Sequence, residues 1–513
     1  MLVSQAHANT LKYAFQGPLN QLDPYSLNET FTLTTLSNVY EGLIRRGPDL
    51  KIEPALAESW EMLEPTRWRF YLRKGVSFHN GNAFTADDVA FSADRIRSAQ
   101  SGLTDRLDPA VKVDIVDDYT VDFISPTPNP ILYYNWSSWF IMDKEWAEEN
   151  KAVDVTSASD KNQNFAAFHA NGTGPFRIVE HEAGVRTIFK KYEAWWDTPE
   201  HNLSAVEFIP VLSSPTRVAA LLSSELDLIY PVPVQDLSRI EANEGTRTLT
   251  GPELRTIFLG MDQYRDELLY SNIKGKNPFK DNRVRQAVML AIDIDTIKKK
   301  IMRTQSTPSA LMISPYLFSG STAFNRPRFD PGRARSLLRE AGYENGFSVE
   351  LDCPNDRYVN DEAICQAVVS YLAHVGIDVT LNAQPRSKFF AKVLAPGGYD
   401  TSFYLLGWTP SSFDSYNVLH SLHSCRSDTG EGSPFNLGGY CNEKVDELAA
   451  QILSQNDIEK RNALITQAYE LTTMDFAYVP LHQQRLAWGI SDKVSVKQRA
   501  DNGLIFNYVT IDN

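Results

Sequence analysis

The chain has 513 residues, which is more than one hydrophobic core supports, since cores stop growing near roughly 250 to 300 residues. Hydrophobic residues make up 42% and charged residues 22%, as in ordinary globular proteins, so disorder is excluded. The 64 acidic and 50 basic side chains leave a formal charge of −14, which disfavours nucleic acid and anionic membrane surfaces as partners. There is no run of about eighteen apolar residues, and no membrane-spanning helix is predicted.

The first residues have one feature of a secretion signal. Residues 1–8 end in Ala6-His7-Ala8, which fits the small-residue rule of a signal-peptidase site with cleavage before Asn9. The apolar core of a signal peptide is missing. Two interpretations stay open, the tail of a truncated signal peptide and an unstructured stub.

The segment from Pro54 to Ser92 predicts three successive elements. Trp68, Phe70 and Leu72 alternate with polar residues, which is typical of a strand with one buried face. The pair Asn80-Gly81 predicts a tight turn. Thr85, with Asp88 three residues later, predicts a helix that begins with a capping box.

In this wording, PALAESWEMLEPTRWRFYLRKGVSFHNGNAFTADDVAFS resembles the signature segment of the family 5 solute-binding proteins of ABC importers. Further resemblances lie at Leu22-Asp23-Pro24, at residues 38–43 (NVYEGL), at residues 172–176 (GTGPF) and at residues 278–288 (PFKDNRVRQAV). The resemblance implies an α/β, two-lobed periplasmic binding protein fold of type II, cluster C-like, with an extra subdomain in the first lobe. The implied boundaries are residues 1–8 as a signal-peptide remnant, 9–255 as lobe I, 256–485 as lobe II and 486–513 as a return to lobe I.

The second half of the chain predicts a parallel sheet. A strand over Phe347–Asp352, a helix over Asp361–His374 and a strand over Ile377–Leu381 form a βαβ unit. Tyr399–Leu406 is apolar on both faces, which predicts a buried central strand. In open α/β sheets the ligand lies outside the carboxyl ends of the strands, so the segment after this strand is the first candidate for a binding site.

Residues 407–417 (GWTPSSFDSYN) resemble the cleft-lining loop of the family's second lobe. We predict solute contacts from five of its residues, namely Trp408, Thr409, Ser411, Asp414 and Asn417. Ser411 departs from the resemblance, because peptide-binding members have an aspartate there that grips the α-ammonium of the ligand. Asp414 could replace it, by meeting a cation or accepting from sugar hydroxyls, or it could cap the following helix.

Three further residues are predicted to contact the solute. Arg357 falls near the position where peptide binders have an arginine for the ligand carboxylate, and its alternative is a salt bridge to Asp356 or Asp361. Asn38 and Tyr40 belong to the motif that forms part of the cleft rim in the first lobe of the family.

The four cysteines predict two disulfides. Cys353 and Cys365, and likewise Cys425 and Cys441, each enclose a short loop that an oxidising compartment would close. The close spacing of zinc-binding cysteines is absent, and buried free thiols are the alternative.

Two classes of function compete. A binding protein would close its lobes around a solute and deliver it to an ABC transporter membrane permease. An enzyme is disfavoured, because the chain contains no GxSxG, HExxH, GxGxxG or Walker motif. His420 and His423 could hold a metal, but a surface or cap role is preferred, and we predict no metal and no cofactor. A third hypothesis, a chemoreceptor-linked or chaperone-like role on the same fold, would have the same sequence features as the transport role.

The predicted protein is therefore the periplasmic solute-binding component of an ABC importer, a monomer secreted through a cleaved signal peptide in a Gram-negative cell. A peptide is the first expectation for its small-molecule solute. An oligosaccharide or opine-like sugar conjugate is the alternative, favoured by Ser411. Nickel and haem are less favoured candidates for the solute.

Overall fold

The computed structural model of the chain describes residues 9–157, 160–394, 399–426, 433 and 435–512. Residues 1–8, for which a signal-peptide remnant is predicted, lie outside the described residues. The chain forms two compact units: unit 1 is Met1–Gly251 with Leu486–Asn513, and unit 2 is Pro252–Arg485. Unit 1 is built from two pieces of the chain, whereas unit 2 is one continuous piece.

The secondary structure is mixed α/β. The strands are β1 (Thr10–Phe15), β2 (Ile44–Arg46), β3 (Ile52–Pro54), β4 (Ala57–Glu64), β5 (Arg67–Leu72), β6 (Lys112–Asp117), β7 (Thr120–Ile124), β8 (Phe176–Glu182), β9 (Arg186–Lys191), β10 (Ala205–Pro210), β11 (Leu228–Tyr230), β12 (Thr246–Met261), β13 (Ser306–Pro308), β14 (Phe347–Pro354), β15 (Ile377–Gln384), β16 (Phe403–Trp408), β17 (Val479–Ser491), β18 (Val494–Val496) and β19 (Val509–Ile511). The α-helices are α1 (Thr30–Leu36), α2 (Ala86–Arg97), α3 (Lys144–Glu149), α4 (Ser214–Leu222), α5 (Leu237–Glu241), α6 (Asn282–Ala291), α7 (Ile294–Thr296), α8 (Pro331–Glu340), α9 (Asp361–Ala373), α10 (Arg386–Val393), α11 (Ser415–Val418), α12 (Glu443–Ser454) and α13 (Ile458–Met474).

Unit 1 contains a main sheet in which β1 pairs in parallel with β10 and with β11. β9 and β8 extend this sheet in antiparallel pairing. A separate antiparallel sheet has the order β4-β5-β7-β6 and corresponds to the extra subdomain predicted for the first lobe.

The segment from Pro54 to Ser92 folds as predicted. The apolar side of β5 is buried, with Trp68 at one end. Gly81 has a φ of +99°, which the tight turn requires. The Asp88 carboxylate accepts the backbone N–H of Thr85 at 2.9 Å, so the capping box at the start of α2 is confirmed.

A cluster of aromatic residues that follows β7 forms part of the core of unit 1. Trp136 and Trp139 are fully buried, and their ring centroids lie 5.8 Å apart. Phe140 and Trp146 are buried with them. These rings stabilise unit 1 by packing, since the burial of each large aromatic side chain removes a large apolar area from water.

Unit 2 contains the predicted βαβ unit. β14 and β15 pair in parallel from Phe347↔Ile377 to Pro354↔Gln384, with α9 between them in the chain. β16 pairs in parallel with β14 and antiparallel with β12. The carboxyl ends of β14, β15 and β16 therefore lie at one edge of the sheet.

The buried strand predicted at Tyr399–Leu406 begins later, at Phe403, and extends to Trp408. The two preceding residues use their hydroxyls for long-range bonds. Thr401 donates to Asp352 at 2.7 Å and Ser402 donates to Asp262 at 3.0 Å, so this part of the chain is held by side chains before the strand begins.

Both predicted disulfides are confirmed. Cys353–Cys365 joins the end of β14 to α9, and Cys425–Cys441 closes a loop that precedes α12. Each helix of the described residues is too short or too polar to cross a membrane.

Candidate functional site

Two loops leave the carboxyl-end edge of the unit 2 sheet next to each other. Residues 355–360 follow β14, and residues 409–414 follow β16, its parallel neighbour. The loops meet at Gly407, where a Cβ atom would lie 2.7 Å from the Tyr358 ring and 3.0 Å from Arg255 Cδ. Only a residue without a side chain permits this approach, and the arrangement is the one expected of a binding edge in an open α/β sheet.

Two arginines flank Tyr358. The guanidinium carbons of Arg357 and Arg255 lie 5.2 and 5.9 Å from the centroid of its ring. These distances are within the range of cation–π attraction. The Arg255 side chain is 12% exposed and forms an ion pair of 3.4 Å with Glu253. The edge therefore combines positive charge with an aromatic surface, and Arg255 and Glu253 are residues that the sequence analysis missed.

The loop that carries Arg357 is held by Asp361. One oxygen of this carboxylate accepts the backbone N–H groups of Arg357 and Tyr358, each at 2.9 Å, and the other accepts that of Glu362 at 3.0 Å. Asp361 thus holds the loop through its backbone. The Cys353–Cys365 disulfide ties the same corner to α9.

Three predicted residues, Trp408, Asn417 and Ser411, are joined in one chain of hydrogen bonds. Trp408 Nε1 donates to Asn417 Oδ1 at 3.1 Å, and Asn417 Nδ2 donates to Ser411 Oγ at 3.0 Å. The Trp408 ring also packs against Phe435, with centroids 4.9 Å apart. Thr409 is half-buried beside them. An indole, an amide and the Ser411 hydroxyl are thus joined in one group, whereas the Thr409 hydroxyl oxygen is buried. The contact of these residues with solute stays a prediction.

Asp414 has two structural partners. Its carboxylate forms a bidentate ion pair with Arg461 of α13, at 2.9 and 2.6 Å, and it accepts the backbone N–H of Tyr416 at 2.8 Å as the N-cap of α11. Both Asp414 and Arg461 are nearly buried. Asp414 caps the following helix, as the second of its two predicted roles states. Its charge is compensated by Arg461 within unit 2. Arg461 lies 47 residues away, and no local pattern indicates it.

Asn38 and Tyr40 lie in the core of unit 1. Asn38 is fully buried, donates to the carbonyl of Leu504 at 3.2 Å and accepts the backbone N–H of Phe506 at 2.7 Å. It thereby joins the end of α1 to the C-terminal segment. Tyr40 is also fully buried, and burial raises the pKa of its hydroxyl well above the usual value. Their contact with solute stays a prediction.

Glu41, beside Tyr40, was not singled out by the sequence analysis. Its carboxylate accepts hydrogen bonds from Trp196 Nε1 at 2.7 Å, Thr173 Oγ1 at 2.8 Å and Trp195 Nε1 at 3.3 Å. Burial raises its pKa to about 7, although these donors lower it. The signal was available for two of these residues, because Glu41 and Thr173 lie in the family-like motifs at residues 38–43 and 172–176.

The histidine pair is not arranged as a metal site. His423 is buried, its Nδ1 lies 3.2 Å from the carbonyl of Val418, and burial lowers its pKa to about 4. His420 stacks on Tyr416, with centroids 5.3 Å apart. Among the described residues, no group of three or more His, Cys, Asp or Glu side chains could hold a metal ion.

Comparison with known proteins agrees with this architecture. The model of the bacterial extracellular solute-binding proteins, family 5 Middle, matches residues 51–430. The glutathione-binding protein GsiB of Pectobacterium atrosepticum is 27% identical over 480 residues, which cover 92% of this chain and 88% of that protein.

Two solved structures have the same fold. The periplasmic binding protein DppA from Helicobacter pylori, in complex with the peptide STSA, has a TM-score of 0.81 and 22% identity, with 98% of each chain covered. The binding protein AgaA from A. tumefaciens R10, in complex with agropinic acid, has a TM-score of 0.80 and 23% identity, with 98% of this chain and 99% of that chain covered.

The fold is that of the two-lobed periplasmic binding proteins, and the class of protein is a solute-binding protein rather than an enzyme. This chain belongs to family 5 of the bacterial extracellular solute-binding proteins. The predicted family, fold class and type of function are therefore confirmed.

Proposed function

We propose that this protein captures a peptide or peptide-like solute in the periplasm and delivers it, as a monomer, to the membrane permease of an ABC importer. The relatives support a peptide-like solute, since GsiB is named for glutathione and DppA is in complex with a peptide. The two disulfides support an oxidising compartment such as the periplasm of a Gram-negative cell, reached through a cleaved signal peptide.

The relatives are the observation that supports a peptide-like solute, and the side chains of the loop after β16 indicate how such a solute would be held. Ser411 stands where the family resemblance implies an aspartate for the α-ammonium, and it accepts a hydrogen bond from Asn417. The carboxylate of the same loop, Asp414, is bound by Arg461. The loop therefore offers neutral hydrogen-bonding groups and an indole. A solute that binds here would be held by its amides, hydroxyls or carboxylate, and its amino end would gain no ion pair from the loop.

The first test is native mass spectrometry of the protein as purified. We expect a co-purified mass of a small peptide or peptide conjugate. Calorimetry with glutathione and with unmodified dipeptides then measures how much the amino end contributes. Masses that match only sugars would overturn the peptide assignment.

A Ser411→Asp variant tests the role of this position. The added carboxylate would form a charge-assisted bond to the ammonium of a dipeptide, and we expect affinity to rise by about tenfold. Ser319→Asp adds the same charge at an exposed site of unit 2 and is the matched control. An unchanged affinity of the Ser411 variant would show that position 411 does not face the amino end of the solute.

The second candidate solute is an oligosaccharide or an opine-like sugar conjugate. The hydroxyl of Ser411 and the amide of Asn417 suit polyol recognition, and AgaA is in complex with agropinic acid. The same mass spectrum separates the candidates, because a sugar conjugate and a peptide differ in mass and in fragmentation.

A further inference from the structure

A group of buried polar side chains lies on one face of the short ladder between β13 and β17, inside unit 2. Ser306 pairs with Gln484, and Pro308 pairs with His482. Residues two apart on a strand point to the same face, so Ser306, His482 and Gln484 share one face of the ladder. His482 is 0% exposed and Ser306 2%.

These side chains have polar atoms without a partner among the described protein atoms. The atoms are both ring nitrogens of His482, the hydroxyl of Ser306 and Oε1 of Gln484. Native proteins pair nearly all buried polar atoms with protein or with ordered water, and an unpaired one costs about 1–3 kcal/mol. So many unpaired atoms on one face indicate that a further species belongs there.

Arg326 adds a positive charge to the group. Its guanidinium donates to the carbonyl of Pro480, two residues before His482, while its Nε and Nη2 are buried and have no partner in the described part of the chain. Its charge also contributes to the low pKa of His482, whose main cause is burial. The hydrogen bond to Pro480 therefore places the Arg326 guanidinium beside the part of β17 that contains His482.

Among the described residues, no ion pair compensates the charge of Arg326. No carboxylate in the described ranges forms an ion pair with it, and Asp295 acts on it only as a more distant charge. An arginine does not lose its proton under physiological conditions, so neutralisation by deprotonation is not available. Arg326 is half-buried, and its Nε and Nη2 atoms are out of contact with solvent. A cation in this position without an ion pair in the described ranges is costly, and water can fill its hydrogen bonds without compensating the charge.

We propose that Arg326, His482 and Ser306 bind one small monovalent inorganic anion, such as chloride, as a structural ion of unit 2. The donors are Nε and Nη2 of Arg326, the hydroxyl of Ser306 and the one N–H of neutral His482. Gln484 is not a ligand of the anion, because its Nε2 donates to Glu253 and its Oε1 is a hydrogen-bond acceptor. An ordered water can donate a hydrogen bond to this Oε1. The proposal does not depend on which solute the protein binds.

The direct test uses crystals of the full-length protein grown with bromide in place of chloride. We expect one anomalous difference peak within hydrogen-bonding reach of Arg326 Nε and Nη2 and of His482. A site that contains only water would show no anomalous signal, and that result would overturn the proposal.

A solution test compares thermal unfolding in sodium chloride and in sodium gluconate at equal ionic strength. We expect the melting temperature of the wild type to rise with chloride along a saturating curve, because an ion bound only by the folded state stabilises it. Arg326→Gln should lose this dependence. Arg328→Gln, two residues further in an exposed position, is the matched control and should keep it. If Arg326→Gln does not fold, the melting temperatures of the wild type in the two salts and the anomalous peak still test the proposal. Identical melting temperatures of the wild type in chloride and in gluconate would contradict it.

Discussion

At the scale of the residue, Glu41 predicts a measurable dependence of stability on pH. Its pKa is 4.5 when exposed and about 7 in the folded protein. The unfolded chain loses this proton first as pH rises, so the contribution of Glu41 to stability is complete below pH 4.5 and falls as pH rises through 7.

We expect the difference in unfolding free energy between the wild type and a Glu41→Gln variant to decrease by at most about 3 kcal/mol from pH 4 to pH 8. Urea unfolding at several pH values measures it. Glu340→Gln, at an exposed position, is the control and should give profiles parallel to the wild type. Parallel profiles for Glu41→Gln as well would show that its carboxyl has an ordinary pKa in the folded state.

The buried pair of Asp414 and Arg461 leads to a second prediction. Asp414→Asn removes the carboxylate that forms a bidentate ion pair with the buried guanidinium of Arg461, and we expect a loss of about 3 kcal/mol in unfolding free energy. The matched control is Glu340→Gln, which breaks a pair with Arg333 in which both side chains are about half exposed, and should cost less than about 1 kcal/mol. Equal small losses in the two variants, measured by urea unfolding, would contradict a structural role for Asp414.

At the scale of the element, position 407 of β16 has no room for a side chain unless its neighbours shift. A methyl group at position 407 would meet Tyr358, Ile257 and Arg255 at 2.7, 2.9 and 3.0 Å. The loop after β14 therefore depends on this glycine for its contact with β16.

We expect Gly407→Ala to lower the unfolding free energy by about 1–3 kcal/mol through overpacking, and to weaken solute binding because Tyr358 and the neighbouring arginines are displaced. Gly17→Ala is the control, since its nearest atom would lie at 3.5 Å. Calorimetry and urea unfolding test both effects. A Gly407 variant with wild-type affinity would indicate that the Tyr358 edge is not part of the binding site.

At the scale of the whole molecule, the two units differ in how the chain builds them. Unit 2 is the continuous segment Pro252–Arg485, which contains both disulfides and two hydrophobic cores of its own. Unit 1 needs residues from both ends of the chain, since Trp488 and Phe506 belong to its core.

We expect residues 252–485, expressed in an oxidising compartment, to fold alone, and residues 1–251 not to fold without the last segment. The second fragment would lack the groups that pair with Asn38 and part of the core. Near-UV circular dichroism and cooperative urea unfolding distinguish the outcomes. A cooperative transition of residues 1–251 would show that the C-terminal segment is an addition to unit 1 rather than part of its core.

What could be predicted from the sequence has a common physical origin. The capping box of Thr85 and Asp88, the strand β5, the parallel βαβ unit and both disulfides depend on residues that are close in the chain. Periodicity and spacing are sufficient for such elements, because each pattern satisfies its own backbone and its own apolar face.

The sequence by itself determined the family, through the resemblance of several segments to one group of proteins. It also determined the α/β class and the candidate edge of the sheet, since these follow from local patterns along the chain. Only the tertiary structure decided the partners of the charged and buried polar groups. Arg461 meets Asp414 from 47 residues away, and Asn38 meets Phe506 from 468 residues away. A hydrogen bond or an ion pair depends on distance in space, and packing brings together atoms whose separation along the chain leaves no trace in the local sequence.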